Sequence, residues 1–478
     1  MARMSTSVAV KINGPVISLA ASRLRKEDLA LILNKVADIN ATCDRGTTAL
    51  INCAAAGDDE GLEFLLEHGA DVHIISESSG SALYAAALIG NEACCGVLLK
   101  AGADINALGG EYGTALQAAC CAEDIETVRL LLNAGAAVNV GSHGTFGSAL
   151  SAASSADEPD IAKLLIEHGA DVNLAGGYDH LPIMAAAQTG NFAILKLLLD
   201  HGADAAATGG QWGSTITAAA YGDEMECFEL LLERGGDLHA KGGHYGSALQ
   251  AAAVKANLAI IDTILDHAVE LVNYCDGKYY TPLIAAAYYD RLEVVDILLE
   301  KGADIRVHGG QYRSAITAAA IKGNKAVLEK LLELRPDEAL VDEALVEACA
   351  HRQAVSVDLL LQSRANVFTR HPTLGSANDA LEAPQVVEEN SDDEEDDPEE
   401  DDEESDEDED SEEGVQWEGD DGKSVSDDTE DRSVTDLKLE EDLTEKAKIQ
   451  KLLDEAVARR KRNPTVERFK SVLQIDSQ

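Results

Sequence analysis

The chain has 478 residues, of which 45% are hydrophobic but only 4% aromatic, and its formal net charge is −49 at pH 7. Residues 388–445 hold 33 acids and 3 bases, residues 446–478 hold 9 bases and 4 acids, and residues 1–387 keep a net −24; that balance disfavours direct nucleic-acid binding by the folded part and favours protein partners with basic surfaces. No run approaches the roughly 20 apolar residues that span a bilayer, and Lys11, Asn13 and Pro15 interrupt the stretch where a secretory signal would need its apolar core.

In chain order, residues 16–40 read as a degenerate helix pair with Leu29, Leu31, Ile32 and Leu33 on its apolar side and Arg23, Arg25 and Lys26 outward. After it, helix-opening anchors recur at Leu50, Leu83, Leu116, Leu150, Ile183, Ile216, Leu249, Leu283 and Ile316, in steps of 33 or 34 residues. A second landmark keeps the same beat, as in Gly69-Ala70-Asp71, Gly102-Ala103-Asp104, Gly169-Ala170-Asp171, Gly202-Ala203-Asp204 and Gly302-Ala303-Asp304. Two landmarks in phase override the length prior of several separate domains and predict one elongated repeat array.

Residues 110–142 show the unit. Gly113 frees a turn, Thr114 caps a short helix over residues 115–120, and Asp124 opens a second helix at its positive end. Ile125, Val128, Leu131 and Leu132 give that helix an apolar face, and Gly135 stops it in a left-handed conformation. Such a pair cannot bury its face alone. It must stack on the next pair, through runs such as Ala85-Ala86-Ala87, Ala185-Ala186-Ala187, Ala218-Ala219-Ala220 and Ala251-Ala252-Ala253, where small side chains let helices approach closely.

These residues resemble the ankyrin repeat: Thr281-Pro282-Leu283 is the nearest match to T-P-L-H-x-A, and Gly-Ala-Asp follows the second helices. The resemblance covers residues 12–370 and implies an all-α ankyrin-repeat solenoid of about ten to eleven repeats including degenerate caps. The variant Gly242-Gly243-His244-Tyr245-Gly246-Ser247-Ala248-Leu249 is similar to arrays of filamentous-fungal proteins. The family histidine after the leucine is replaced here by Tyr84, Gln117, Ser151, Met184, Thr217, Gln250, Ile284 or Thr317, so its inter-repeat hydrogen bonds do not carry over directly. The unit around Ala268-Val269-Glu270-Leu271 has lost its glycine stop and gained a residue, which predicts an irregular joint. Residues 338–367 read as a degenerate closing pair.

Tyr112, Phe146, Trp212, Tyr245, Tyr279 and Tyr312 each lie four residues before an anchor, and Tyr178 is one place out of register. An in-phase row of rings is either a set of partner-binding anchors at the loop tips or an internal ladder that stiffens the stack. His68, His168 and His201 precede the terminal glycines of second helices, where a C-terminal dipole favours them, and their spacing in different repeats gives no reason to expect metal. The nine cysteines form no C-x-x-C pair and fit reduced packing residues. No nucleotide-binding, zinc-protease or nucleophile-elbow motif occurs, so a non-catalytic protein without cofactor is expected.

Beyond the array, residues 371–445 are read as a disordered acidic tail, with 21 acids among the 26 residues 388–413. Ser391, Ser405 and Ser424 have an acid three places on and resemble acid-directed phosphorylation sites. Residues 446–478 are read as a basic amphipathic helical segment, helical character returning over residues 440–462 with Leu443, Ala447, Leu452, Leu453 and Ala456 near one face. Arg459, Arg460, Lys461 and Arg462 resemble a nuclear import signal. The functional expectation is a monomeric protein-protein interaction scaffold, a regulatory adaptor or transcription coregulator in the nucleus or cytoplasm; the alternative is an acidic-tract chaperone or binder of basic proteins such as histones.

Overall fold

The structure, a computed structural model, describes residues 38–43, 46–141, 143–176, 181–384 and the helix Val434–Arg462, with side chains of that helix described over 444–459. The chain divides into two compact units, Met1–Ala315 and Ile316–Gln478.

In the first unit, every repeat but one opens where a Ser or Thr in extended backbone accepts a hydrogen bond from an amide three residues on. Thr48, Ser81, Thr114, Ser148, Ser214, Ser247 and Thr281 all do so, at 3.0–3.3 Å. This cap satisfies one of the amides left over at a helix start. The exception, Pro182–Gln188, opens on Leu181 with Pro182 at its first position. The seven- or eight-residue helices that follow, such as Ala82–Leu88, Ala115–Cys121, Thr215–Gly222 and Pro282–Tyr288, are alanine-rich and pack on one another from repeat to repeat. All eight anchors of this unit are buried, as are its alanine runs apart from Ala55 and Ala56. Five of the second helices start on Asp58, Asn91, Asp124, Asn191 or Asn257, each capping through its own side chain, whereas those after Glu158, Glu224 and Arg291 have no side-chain cap. Asp124, read from sequence as a charge at the helix dipole, is thus also a hydrogen-bonding cap, at 3.0 Å from Thr127 N.

Gly135, with φ +94°, turns the chain out of its second helix, as Gly69, Gly102, Gly169, Gly202, Gly235 and Gly302 do in theirs. The aspartate two places later folds the next turn: Asp104, Asp171, Asp204 and Asp304 each accept from the amide two residues on, at 2.9–3.0 Å. The asparagine that follows ties repeats together. Asn139 accepts from Asp171 N (2.8 Å) and donates to Gly169 O (2.9 Å); Asn173 does the same with Asp204 N and Gly202 O, and Asn273 with Asp304 N and Gly302 O. The loops then form short antiparallel hairpins, Ile75–Ser76 with Gly80–Ser81 and Thr208–Gly209 with Gly213–Ser214, or single bridges such as Gly242 to Gly246. Where the glycine stop is missing, Leu258–His267 ends on Ala268 and the chain continues into a 3-10 turn, Val269–Asn273, so the expected irregular joint is present.

In the second unit, Lys325–Glu333 is followed by the longer Glu338–Ala350, by Ala354–Gln362, and by the helix Ala377–Glu382. The regular geometry therefore runs past residue 370: His371 bridges to Gly375, and Ser376 caps the helix in a reciprocal box with Asp379. The buried Arg352 holds this last piece in place, donating to Cys349 O (2.9 Å) and Ala383 O (2.7 Å). The C-terminal helix begins at Val434, so the boundary expected at 446 falls inside it. It packs on Ala354–Gln362 and Ala377–Glu382 with Ile449 and Leu453 buried. Leu452 and Ala456 are half-buried, whereas Ala447, read as part of the apolar face, is exposed. The degenerate pair at 16–40 lies outside the described residues apart from 38–40, and the acidic residues 388–413 lie outside them entirely.

Candidate functional site

A repeat array offers its partners the hairpin tips and the exposed ends of its first helices, so the geometry of those positions decides what it can bind. The in-phase rings converge on each other. Trp212 stacks on Tyr245 (centroids 5.7 Å apart, planes 8° apart), Tyr245 on Tyr279 (6.1 Å) and Tyr279 on Tyr312 (5.5 Å), while Tyr112 stacks on Phe146 (5.9 Å). Trp212, Tyr245, Tyr279 and Tyr312 are buried, and Tyr112 and Phe146 are half-buried. Of the two arrangements open from sequence, these distances are those of the internal ladder, with ring area facing solvent at Tyr112 and Phe146. Tyr178 lies outside the described residues.

Further rings reach the column from the first helices. Tyr221 lies against Trp212 (4.6 Å) and Tyr245 (5.0 Å), Tyr288 against Tyr312 (4.2 Å), and the hydroxyls of Tyr279 and Tyr289 meet at 2.7 Å. Lys255 and Lys278 sit over Tyr221 (4.4 Å) and Tyr279 (5.6 Å). Ten of the nineteen aromatic residues of this aromatic-poor chain lie within residues 212–312, and the stacked ones stiffen the hairpins there.

Three of the eight residues standing in for the family histidine also bond between repeats. Gln117 Nε2 donates to His143 O (3.1 Å), Gln250 Nε2 donates to Asp276 O (2.8 Å), and Tyr84 Oη accepts from Tyr112 N (3.1 Å). His68, His168 and His201 place Nδ1 2.8–2.9 Å from the carbonyl four residues back, a helix-end cap in each case.

What remains exposed is partly apolar and strongly acidic. Ile75 and Leu108 on neighbouring hairpin loops, and Leu88 and Ile89 at the end of one first helix, are 37–47% exposed. Gly109 lies directly against Ile75, since a Cβ there would meet Ile75 Cγ2 at 2.7 Å. Exposed carboxylates stand at Glu77 and Glu111 on the same loops and at Glu123, Asp157, Asp223 and Glu224 where first helices turn into second ones. Sequence reading missed the four aliphatics. Their signal was local: Leu88-Ile89 occupies the place where Gln188-Thr189 and Ser155-Ala156 stand.

None of the nine cysteines is in a disulfide, and burial holds most of their thiols protonated: Cys53, Cys95, Cys121 and Cys349 are pushed up to about 12, and Cys94 and Cys227 to about 11. Among the described residues, no group of three or more His, Cys, Asp or Glu is arranged to hold a metal ion, and no helix is long and apolar enough to cross a membrane. Arg459 lies near the end of the helix Val434–Arg462, exposed and 3.4 Å from Glu455; the side chains of Arg460, Lys461 and Arg462, and all of Ser391, Ser405 and Ser424, lie outside the described residues.

Models of ankyrin repeats match residues 17–109, 108–176 and 215–309, and a single-repeat model matches residues 178–209. The chain belongs to the ankyrin-repeat family, whose members generally mediate protein-protein interaction. Among solved structures, the human ASB11 ankyrin repeat domain is 26% identical, over 46% of this chain and 98% of that one, with a TM-score of 0.40. A comparison with curated proteins gives no match.

Proposed function

We propose that the chain is a non-catalytic scaffold, a regulatory adaptor or transcription coregulator, that recruits proteins carrying basic and apolar side chains together. The observation that carries this reading is the set of exposed aliphatics, Ile75, Leu88, Ile89 and Leu108, among the exposed carboxylates Glu77, Glu111 and Glu123. Apolar area supplies affinity and the carboxylates select positive partners and speed encounter. The similarity of the Gly-Gly-x-aromatic-Gly hairpins to filamentous-fungal arrays fits such a role, as does the family's general use in protein binding. The basic residues Arg459–Arg462 would direct nuclear entry, and added phosphate at Ser391, Ser405 or Ser424 would raise the negative charge further. The chain acts as a monomer in this reading.

Proximity labelling in cells tests it, with the intact chain compared against a variant carrying Ile75→Asp, Ile89→Asp and Glu111→Lys. Those positions are exposed, so the variant should melt like the parent yet lose most labelled neighbours; an unchanged set of neighbours overturns the reading. A companion chain lacking Arg459–Arg462 should stay out of the nucleus.

The density of acids in residues 388–413 favours a second reading, a chaperone or binder of basic proteins such as histones. Salt-titrated binding of a histone-like basic peptide separates the two. A chaperone loses most of its affinity when residues 388–413 are deleted, and a scaffold acting through its array does not.

A further inference from the structure

Among the described residues, every complete repeat joins its first helix to its second through two or three residues, as between Ala56 and Asp59, Cys121 and Ile125, Lys255 and Leu258, or Ala350 and Ala354. The helix Ala377–Glu382 breaks that rule. It has the marks of a first helix: a hairpin bridge from His371 to Gly375 like that from Gly242 to Gly246, a left-handed Gly375 (φ +75°), and a Ser376 cap. Yet the next described helix begins at Val434.

The neighbours of that later helix are informative. A second helix elsewhere packs on the first helix of its own repeat and on the second helix before it: Pro159–Glu167 lies on Ala149–Ser155 and Ile125–Asn133. Val434–Arg462 lies on Ala377–Glu382 and Ala354–Gln362, the same two kinds of partner. Ile449 and Leu453 point inward, Lys446 pairs with Glu382 (3.1 Å), and Gln450 donates to Asn378 (3.4 Å).

We propose that Val434–Arg462 is the second helix of a terminal ankyrin repeat split by residues 383–433, and that it closes the array reversibly. Its hold is lighter than that of the second helices of the first unit, which bury three or four residues each. Pro159–Glu167 buries Ile161, Ala162, Leu164 and Leu165, whereas over the described side chains 444–459 the later helix buries Ile449 and Leu453. Closing the connection over 383–433 also costs more chain entropy than closing two or three residues. The acidic sequence is therefore an insertion between two helices of one repeat rather than a terminal tail.

The full chain with one protease site placed between Gly419 and Asp420 provides the test. After cleavage at micromolar concentration, the C-terminal fragment should co-elute with the array in gel filtration, and excess synthetic peptide 434–462 should displace it. The peptide carrying Ile449→Asp and Leu453→Asp should compete at least about tenfold less well, as expected from losing two buried aliphatic contacts, while Ala447→Asp, at an exposed position, should compete like the parent. Because acids at 449 and 453 could weaken the helix itself, a second measurement reads position alone. Asn378→Cys with Gln450→Cys in the otherwise intact chain should form a disulfide that holds the two cleavage fragments together until reduced, whereas Asn378→Cys with Lys448→Cys should not. A fragment that leaves the parent array on cutting, or equal linkage by both pairs, overturns the split repeat; a fragment that excess peptide never displaces overturns reversibility.

Discussion

Gln117 and Gln250 show how a single position can leave the family pattern and keep its purpose. Each carries an amide long enough to reach a loop carbonyl in the next repeat, so the bond survives the loss of histidine. That replacement was visible in the sequence; its reach was not, because it depends on where the next loop's carbonyl points. Gly222 makes the same point in reverse. An alanine there should help an isolated helix by about 1 kcal/mol, but its Cβ would stand 2.4 Å from Gln188 O and 2.5 Å from Ala187 O. Gly222→Ala should therefore lower stability by about 1–3 kcal/mol, the usual range for overpacking. The check is the urea midpoint, and a midpoint equal to or above the parent's would show that the neighbouring carbonyls give way freely.

At the scale of elements, the aromatic column and the helix pairs depend on one another. The hairpins are too short to hold themselves, and the stacked rings align each on the next. Tyr279 sits at the middle, fully buried, touching Tyr245, Tyr312, Tyr288 and Tyr289. Tyr279→Ala should cost about 3–5 kcal/mol, as large aromatic truncations in cores do; Tyr279→Phe keeps the stack and should cost about 1 kcal/mol for the hydroxyl contact with Tyr289. Equal losses in the two variants, measured by chemical denaturation, would show that the hydroxyl and not the ring holds the column. The even spacing of the rings was legible from their register with the anchors. Whether they faced outward or each other was not, since both arrangements give the same period. The half-repeat at Ala377–Glu382 was also legible in principle, in Gly375-Ser376-Ala377, which repeats Gly246-Ser247-Ala248; the missing anchor at Asn378 hid it.

For the whole molecule, packing by small side chains has a consequence in alkali. Burial, the leading cause in each case, pushes the thiols of Cys53, Cys95, Cys121 and Cys349 up to about 12 and those of Cys94 and Cys227 to about 11. On unfolding they return to an ordinary value near 9.0, so above that pH the unfolded chain binds fewer protons than the folded one. Stability should then fall as pH rises from 9 towards 11. Melting temperatures recorded across that window should drop less steeply in a chain with Cys53→Ala, Cys95→Ala and Cys349→Ala; parallel curves would mean that the thiols are not the cause. The amino-acid order alone determined the repeat, its caps, its turns and its acidic character, because each follows from spacing and local backbone chemistry within about 34 residues. Only the tertiary structure decided that the rings stack, which aliphatics stay exposed, and which distant helix fills the last repeat, because those depend on side chains brought together from different repeats, where no local pattern records the distance between them.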